Sequence, residues 1–328
     1  MRELNILSFP LHAISDTDFC SIGHKWFYLT TGILASYGWN GFFAPIPSNA
    51  TMVDTVGKFN IPETVNWTTP MLREKWLEKL NIDLILAPGI ESCYMALQWH
   101  YPIIHYVNAI YNDEYGKMWF NYLHHWHPEI PIVFLSQDSA NRSLIKPGTY
   151  KIINRGWASD DYLEWKGDTK EVLVLCTNMA KRGFYFDFIS LYKKISSALP
   201  VHLLGYDNGN LSKGKQHHLL KEDFSKYRLL FNIEPLSGRI MYEALASGIP
   251  VVSIQRNDEL KPYIKNGINA FMSDDVNYLI NCAKELLKNK VLAEKIGKEG
   301  QKIIKEHFPK SKYKEDWNKL FYETAGVK

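Results

Sequence analysis

The sequence predicts an α/β protein of two domains, each built on a parallel β-sheet flanked by helices. The chain has 328 residues, enough for two domains of about 150 residues with a core each. Its composition, 46% hydrophobic and 22% charged, is that of an ordinary globular protein. Apolar strand-like runs alternate with helical segments across short loops. This alternation favours parallel sheets.

The first half of the chain predicts several strands and helices, with a long polar loop after the first strand. Such a loop is a common place for binding residues. The predicted loop covers residues 10–21. The predicted strands are 4–9, 39–45, 82–87, 103–107, 132–136 and 151–154, and the predicted helices are 22–36, 71–80 and 91–98.

The second half alternates more regularly. The predicted strands are 171–176, 201–205, 229–233 and 250–254, and the predicted helices are 184–198, 239–246, 276–287, 291–306 and 311–322. The last helix carries Trp317, Leu320 and Phe321 on one face, as expected of a helix that packs against a core.

The segment EPLSGRIMYEALASGIPVVS, residues 234–253, is the most informative. It predicts a loop with Gly238, a helix with the single carboxylate Glu243, and a buried strand. The free N–H groups at a helix N-terminus form an anion site. A carboxylate one turn later can accept hydrogen bonds from vicinal hydroxyls such as those of ribose. The segment therefore suits a nucleoside diphosphate at the carboxyl edge of a sheet. An ordinary loop–helix–strand unit without a ligand would have a similar sequence pattern.

This segment resembles the signature of retaining glycosyltransferases of the GT-B fold, especially the GT4-like group. That signature is a Glu, seven residues, a second Glu, and then Ala-x-Ala-x-Gly-x-Pro-Val-Val. Glu243 matches the second Glu, and residues 244–252 follow the remainder. The first Glu, which contacts the transferred sugar in the family, falls on Pro235, and Glu234 stands one residue early. Either Glu234 substitutes for it, or sugar recognition has diverged.

The resemblance implies a fold and its domain boundaries. The fold is GT-B, two Rossmann-like domains with parallel sheets facing a central cleft. We expect an acceptor-side domain over residues 1–155 and a nucleotide-sugar domain over 156–307. The C-terminal helix, within 308–328, should pack back on the first domain.

Two cations are expected near the donor diphosphate. Fixed positive charge there stabilises the negative charge that develops on the leaving group. The family pattern is Gly-Arg, four residues, Lys-Gly. Arg182 occupies the Lys position and Thr177 replaces the earlier Arg, so Lys181 or Arg239 should supply the second cation. A solvated basic loop is the alternative reading.

The resemblance also assigns residues around the donor and the reacting sugar. Gly205 and Tyr206 fall where the nucleotide base packs, Ser237 joins Gly238 in the loop, and Gly23 matches a glycine that approaches the donor phosphates. The donor-binding set is thus Glu243, Gly238, Ser237, Arg239, Gly205, Tyr206 and Gly23.

On the acceptor side, Asn108 takes the register of a family histidine near the reacting sugar. His105, three residues earlier, would orient a sugar hydroxyl or be a core histidine. The run at His124, His125 and His127 lacks the ligand set of a zinc site, so no metal is predicted. His217 is expected to form a surface pair with its neighbour His218. The catalytic set is Glu234, Arg182, Lys181, Asn108 and His105.

Charge and composition bear on partners and compartment. Residues 1–150 hold 9 Lys and Arg against 13 Asp and Glu, whereas residues 151–328 hold 29 against 22. A basic second half suits a diphosphate, and an acidic first half is a poor match for nucleic acid. Nine of the ten Trp lie at or before Trp165, where they could form core or stack on sugars. Four scattered cysteines, no signal peptide and no membrane-length apolar run predict a cytoplasmic protein.

The function that follows is retaining transfer of a sugar from a nucleoside diphosphate sugar to a hydroxyl acceptor, a saccharide or glycoconjugate. The resemblance implies that the leaving diphosphate helps to deprotonate the acceptor, with no metal and no separate cofactor. The alternatives are a DNA-modifying glycosyltransferase, a sugar-nucleotide epimerase, and a non-catalytic nucleotide-sugar-binding protein of the same fold.

Overall fold

The structure, a computed structural model, describes residues 1–10, 13–30, 44–54, 77–107, 114–143, 149–181, 187–212, 214–234, 239–254 and 260–327. The chain divides into two compact units. Unit 1 comprises Met1–Arg155 and Tyr313–Lys328, and unit 2 comprises Gly156–Lys312.

Unit 1 holds a sheet whose described strands are all parallel. These strands are β1 (Asn5–Ser8), β2 (Lys25–Thr30), β3 (Ala50–Asp54), β4 (Leu84–Pro88), β5 (Ile103–Val107), β6 (Ile132–Phe134) and β7 (Lys151–Ile152). Their order across the sheet is β3-β2-β1-β4-β5-β6-β7. The helices are α1 (Ala13–Cys20), α2 (Ile90–Ala96), α3 (Glu114–Trp126) and α4 (Gln137–Arg142).

Unit 2 holds a second parallel sheet. Its strands are β8 (Thr169–Leu175), β9 (Val201–Leu204), β10 (Tyr227–Asn232), β11 (Val251–Ile254) and β12 (Phe271–Ser273), in the order β12-β11-β10-β8-β9. The helices are α5 (Phe188–Ala198), α6 (Leu220–Lys226), α7 (Arg239–Ser247), α8 (Val276–Lys288) and α9 (Lys290–His307). Every residue of β10 is buried, as expected of a parallel strand covered on both faces.

The last helix, α10 (Lys310–Thr324), completes the core of unit 1. Trp317 is fully buried, and its ring meets Phe19 edge-on with centroids 5.1 Å apart. Tyr313, Trp317, Leu320 and Phe321 share one cluster with the central strands. Aromatic groups of this size contribute large buried areas, so the sheet of unit 1 depends on a segment more than 150 residues away from its last strand.

The sequence-based elements of unit 2 are confirmed to within a few residues across its described part, and so are β1, β4, β5 and α2 of unit 1. Two predictions at the start of the chain are wrong. The expected loop at 10–21 contains α1, and the expected helix at 22–36 contains β2. The strand at 39–45 and the helix at 71–80 lie mostly outside the described residues. Strands β3 and β12 and helices α3, α4 and α6 were not predicted.

The error at β2 has a simple cause. Its sequence, KWFYLT, is short and almost wholly apolar, and such a run does not distinguish a helix from a strand. In the structure Trp26 and Tyr28 point into the core that contains α10. These two aromatic side chains are two residues apart and lie on the same face of the sheet, which is the spacing of a strand.

All four cysteines are buried. Within the described ranges, none of the helices has the length and apolar character of a membrane span.

Candidate functional site

Several of the residues predicted for the donor site lie at one edge of the unit 2 sheet. Strand order reverses between β8 and β10, and ligands of open parallel sheets bind at the carboxyl ends of strands at such a point. Lys181 follows β8, Glu234 follows β10, and Arg239 begins α7. Gly205 and Tyr206 directly follow β9, which neighbours β8. Arg182, Ser237 and Gly238 lie outside the described residues.

The loops after β8 and β9 are held together closely. Gly205 has φ +155°, and a Cβ there would lie 1.7 Å from the carbonyl oxygen of Cys176. Asn208 donates from Nδ2 to that same carbonyl at 2.7 Å, and its Oδ1 accepts from the N–H of Met179 at 3.0 Å. Gly205 thus permits a close backbone approach. Asn208, which the sequence reasoning missed, fixes the loop that leads to Lys181.

Lys181 and Glu234 occupy different environments at this edge. The Lys181 side chain is mostly exposed, and its Nζ lies 3.6 Å from a carboxylate oxygen of Asp207. Glu234 is half-buried, and Asn232 accepts from its N–H at 3.3 Å and donates to its carbonyl at 3.1 Å. Asn232 also donates to Ser253 Oγ at 3.0 Å. The backbone at Glu234 is therefore tied to β10 and β11.

Glu243 is the most unusual carboxylate of the site. It lies one turn into α7 and is 1% exposed. Arg239 Nε is 2.5 Å from its Oε1, and His217 Nε2 is 2.9 Å from its Oε2. Burial opposes ionisation of this group, but the Arg239 and His217 charges and hydrogen bonds outweigh burial and hold the pKa of Glu243 at about 2. The carboxylate is ionised at neutral pH.

His217 was expected to be a surface residue, and the structure corrects this. It begins a single 3₁₀ turn, His217–Leu219, just before α6. Its side chain is 18% exposed and contacts Glu243, whereas the neighbouring His218 is exposed. No local motif marks His217, because its partner is 26 residues further along the chain.

Gly23 does not lie where it was predicted. It precedes β2, and β2 runs parallel to β1 with Asn5 opposite Lys25. Gly23 is therefore at the amino edge of the unit 1 sheet, whereas ligands bind at the carboxyl edge. The family's glycine opens a helix, but here the residues after Gly23 form a strand.

His105 belongs to the core of unit 1 and not to an exposed site. It is fully buried in β5, and its Nδ1 lies 2.8 Å from Nε2 of His124 on α3. Burial lowers the pKa of His105 well below its usual value and the pKa of His124 to about 4. Both rings are neutral at pH 7. Asn108 lies outside the described residues. Among those that are described, no three His, Cys, Asp or Glu side chains could together hold a metal ion.

Comparison with solved structures adds the fold family. HepE from Anabaena, solved with UDP and glucose, superposes with a TM-score of 0.70 at 13% identity, covering 98% of this chain and 100% of HepE. Sucrose-phosphate synthase from Thermosynechococcus elongatus gives 0.69 at 14% identity, covering 98% and 99%. The fold is that of the GT-B glycosyltransferases. TarM from S. aureus gives 0.58 at 16% identity, and the match covers 76% of this chain but only 58% of TarM.

The predicted fold class is thereby confirmed. The structural similarity shows the GT-B fold, and at identities of 13–16% it shows the fold alone, so activity has to be argued from the site. No protein-family model and no curated protein matches the sequence.

The buried histidine pair predicts acid sensitivity. A histidine with a lowered pKa binds fewer protons in the folded chain than in the unfolded one between about pH 4 and 6.5, so stability falls as pH falls through that window. From pH 7 to 5, His124 should account for about 1–2 kcal/mol of the loss, allowing for its partial exposure. Urea unfolding at both pH values measures this.

The test variant is the double substitution His105→Leu/His124→Leu. The control variant is His125→Leu, which changes an exposed neighbour. The double variant should lose less stability on acidification than the wild type, and the control should behave as the wild type. An unchanged pH dependence in the folded double variant would contradict the assignment.

Proposed function

We propose that this protein is a glycosyltransferase that binds a nucleoside diphosphate sugar at the carboxyl edge of the unit 2 sheet. The observation that carries the proposal is the ionised carboxylate of Glu243, held one turn into α7 beside the reversal of strand order. A helix N-terminus offers N–H groups to phosphate, and the carboxylate accepts ribose hydroxyls. HepE, which shares the fold, was solved with UDP-glucose.

We propose the retaining mechanism on the strength of the GT4-like signature at residues 234–252. In this mechanism, attack and departure occur on the same face of the sugar, and the leaving diphosphate takes the proton of the acceptor hydroxyl. Arg182, with Lys181 or Arg239, would stabilise the diphosphate without a metal ion. The Lys181 side chain is 74% exposed, whereas Arg239 begins α7 and its side chain is 19% exposed, so Arg239 is the second candidate we favour.

We propose the remaining roles from position. Glu234 follows β10 with its backbone fixed by Asn232, which suits a carboxylate that contacts the transferred sugar. Tyr206 follows β9, where it would pack on the nucleotide base. Ser237 and Gly238 would supply loop amides to the donor.

We further propose that the acceptor is a saccharide or another neutral or cationic hydroxyl compound, bound by unit 1. The acidic balance of residues 1–150 supports this choice against nucleic acid. Most of the described Trp side chains of unit 1 do not serve as stacking surfaces, because Trp26, Trp99 and Trp317 are buried. Trp126 on α3 is 63% exposed.

Glu243 should dominate nucleotide binding. Glu243→Gln replaces the charged acceptor of ribose hydroxyls with a neutral amide, so affinity for the nucleoside diphosphate should weaken by about 1.5–3 kcal/mol. Calorimetry with UDP, GDP and ADP measures the change. Glu285→Gln, an exposed carboxylate on α8, is the control. A folded Glu243→Gln variant with wild-type affinity would rule out the ribose contact.

Arg182 should act on the phosphates. Arg182→Ala should reduce affinity for a nucleoside diphosphate by about tenfold or more and barely affect the free nucleoside, because the cation meets only the diphosphate. Lys170→Ala removes an exposed cation near the amino end of β8 and should change neither affinity. Equal losses for diphosphate and nucleoside in Arg182→Ala would place the arginine elsewhere.

The choice of acceptor is tested with DNA. Binding to duplex and single-stranded DNA, measured at two salt concentrations, should be weak. A true nucleic-acid ligand would show a fall of about one log unit of affinity per log unit of salt for each phosphate neutralised. Sub-micromolar, salt-sensitive binding together with labelled sugar appearing on the DNA would establish the DNA-modifying alternative.

A further inference from the structure

His217 makes a specific contact in the proposed donor site. Its Nε2 lies 2.9 Å from Oε2 of Glu243. Because the pKa of Glu243 is about 2, this carboxylate is ionised and can only accept hydrogen bonds. The proton of the His217–Glu243 bond therefore resides on Nε2 of the imidazole, whichever charge the ring carries.

The two donors occupy about half of the positions at which the Glu243 carboxylate can accept a hydrogen bond. A carboxylate has about four lone-pair positions, two on each oxygen. Arg239 takes one on Oε1 and His217 takes one on Oε2. Among the described residues these are the donors to Glu243, so each oxygen can accept one more hydrogen bond, and two such oxygens match the two hydroxyls of a vicinal diol.

The two donors also differ in origin. Arg239 is four residues before Glu243 on the same helix, so their bond sets only the local side-chain conformation. His217 comes from the segment after β9, which is itself anchored, since Lys215 pairs with Asp223 at 2.6 Å. A Cβ at Gly214 would lie 1.7 Å from the ring of Tyr206. Among the described residues, His217 therefore connects Glu243 to the segment after β9.

We propose that His217 is a positioning residue for the donor ribose. It fixes the plane of the Glu243 carboxylate. In that orientation each oxygen directs one lone pair at the 2′- and 3′-hydroxyls of the ribose. The Glu243 side chain is 2% exposed and those of His217 and Arg239 are 18% and 19% exposed, and hydrogen bonds in such a partly dehydrated site are stronger than in bulk solvent. This inference rests on the proposed function, because it concerns the nucleotide of the same site.

The experiment separates ribose positioning from a general structural role. Calorimetry would use whichever of UDP, GDP and ADP binds most tightly, together with its 2′,3′-dideoxy analogue, which lacks both hydroxyls. His217→Ala should weaken binding of the diphosphate by about tenfold and change binding of the dideoxy analogue by less than about twofold. His217→Asn, whose amide N–H can still donate to Glu243, should keep most of the affinity. His218→Ala, the exposed neighbour, is the matched control.

Each result decides the matter. Equal losses for both nucleotides in a His217→Ala variant with wild-type thermal unfolding would show a structural role and overturn the inference. Tighter binding of the diphosphate would show that His217 competes with the ribose, which also overturns it. If the wild type distinguishes the two nucleotides but His217→Ala does so equally well, the inference fails and the proposed function stands. If the wild type binds none of the nucleotides, both fail.

Discussion

A buried carboxylate requires donors, and in unit 2 this requirement connects helix α7 with the segment after β9. An ionised group that is 1% exposed is costly unless it is paired. Glu243 on α7 satisfies the requirement with Arg239 on the same helix and His217 from the segment after β9. The placement of the segment after β9 therefore depends on its contact with the ionised Glu243 of α7. Removing either partner would leave the buried carboxylate with one donor fewer.

The parallel sheet determines where this cluster lies. Because each strand of unit 2 runs in the same direction, the loops after β8, β9 and β10 all emerge at one edge. The reversal of order between β8 and β10 separates adjacent loops and leaves room for a ligand. Asn208 and Asn232 then fix the first residues of those loops with side-chain hydrogen bonds to the backbone. The shared strand direction and these short polar side chains therefore both determine where the loops of this edge begin.

The sequence was most informative where local signals agreed. Unit 2 has fully buried strands such as β10, short loops and an amphipathic α7, so most of its elements could be predicted, although α6 and β12 were not. The first part of unit 1 gave conflicting signals. The run at β2 is apolar throughout, and Gly23 sits before that strand and not before a helix.

Residues defined by distant partners were the hardest to predict. Nothing in their neighbourhood shows that His105 meets His124 across a strand and a helix, or that His217 meets Glu243. Asn208 likewise contacts a carbonyl 32 residues away. Such contacts depend on tertiary packing, which propensity and periodicity do not encode. Glu243 and Arg239 were both named from the sequence, but the contact of His217 with Glu243 could not be predicted.

Helix α10 has a consequence for the order in which the chain can fold during synthesis. Residues 156–312 form one compact unit, and they are translated before the segment that completes the core of unit 1. Until Trp317 and Phe321 leave the ribosome, the faces of Trp26 and Tyr106 that they cover stay open to solvent or to other chains. The inserted unit has all of its own core residues at an earlier stage. Nascent chains should therefore acquire the second unit first, and the N-terminal unit should be the part that depends on chaperones.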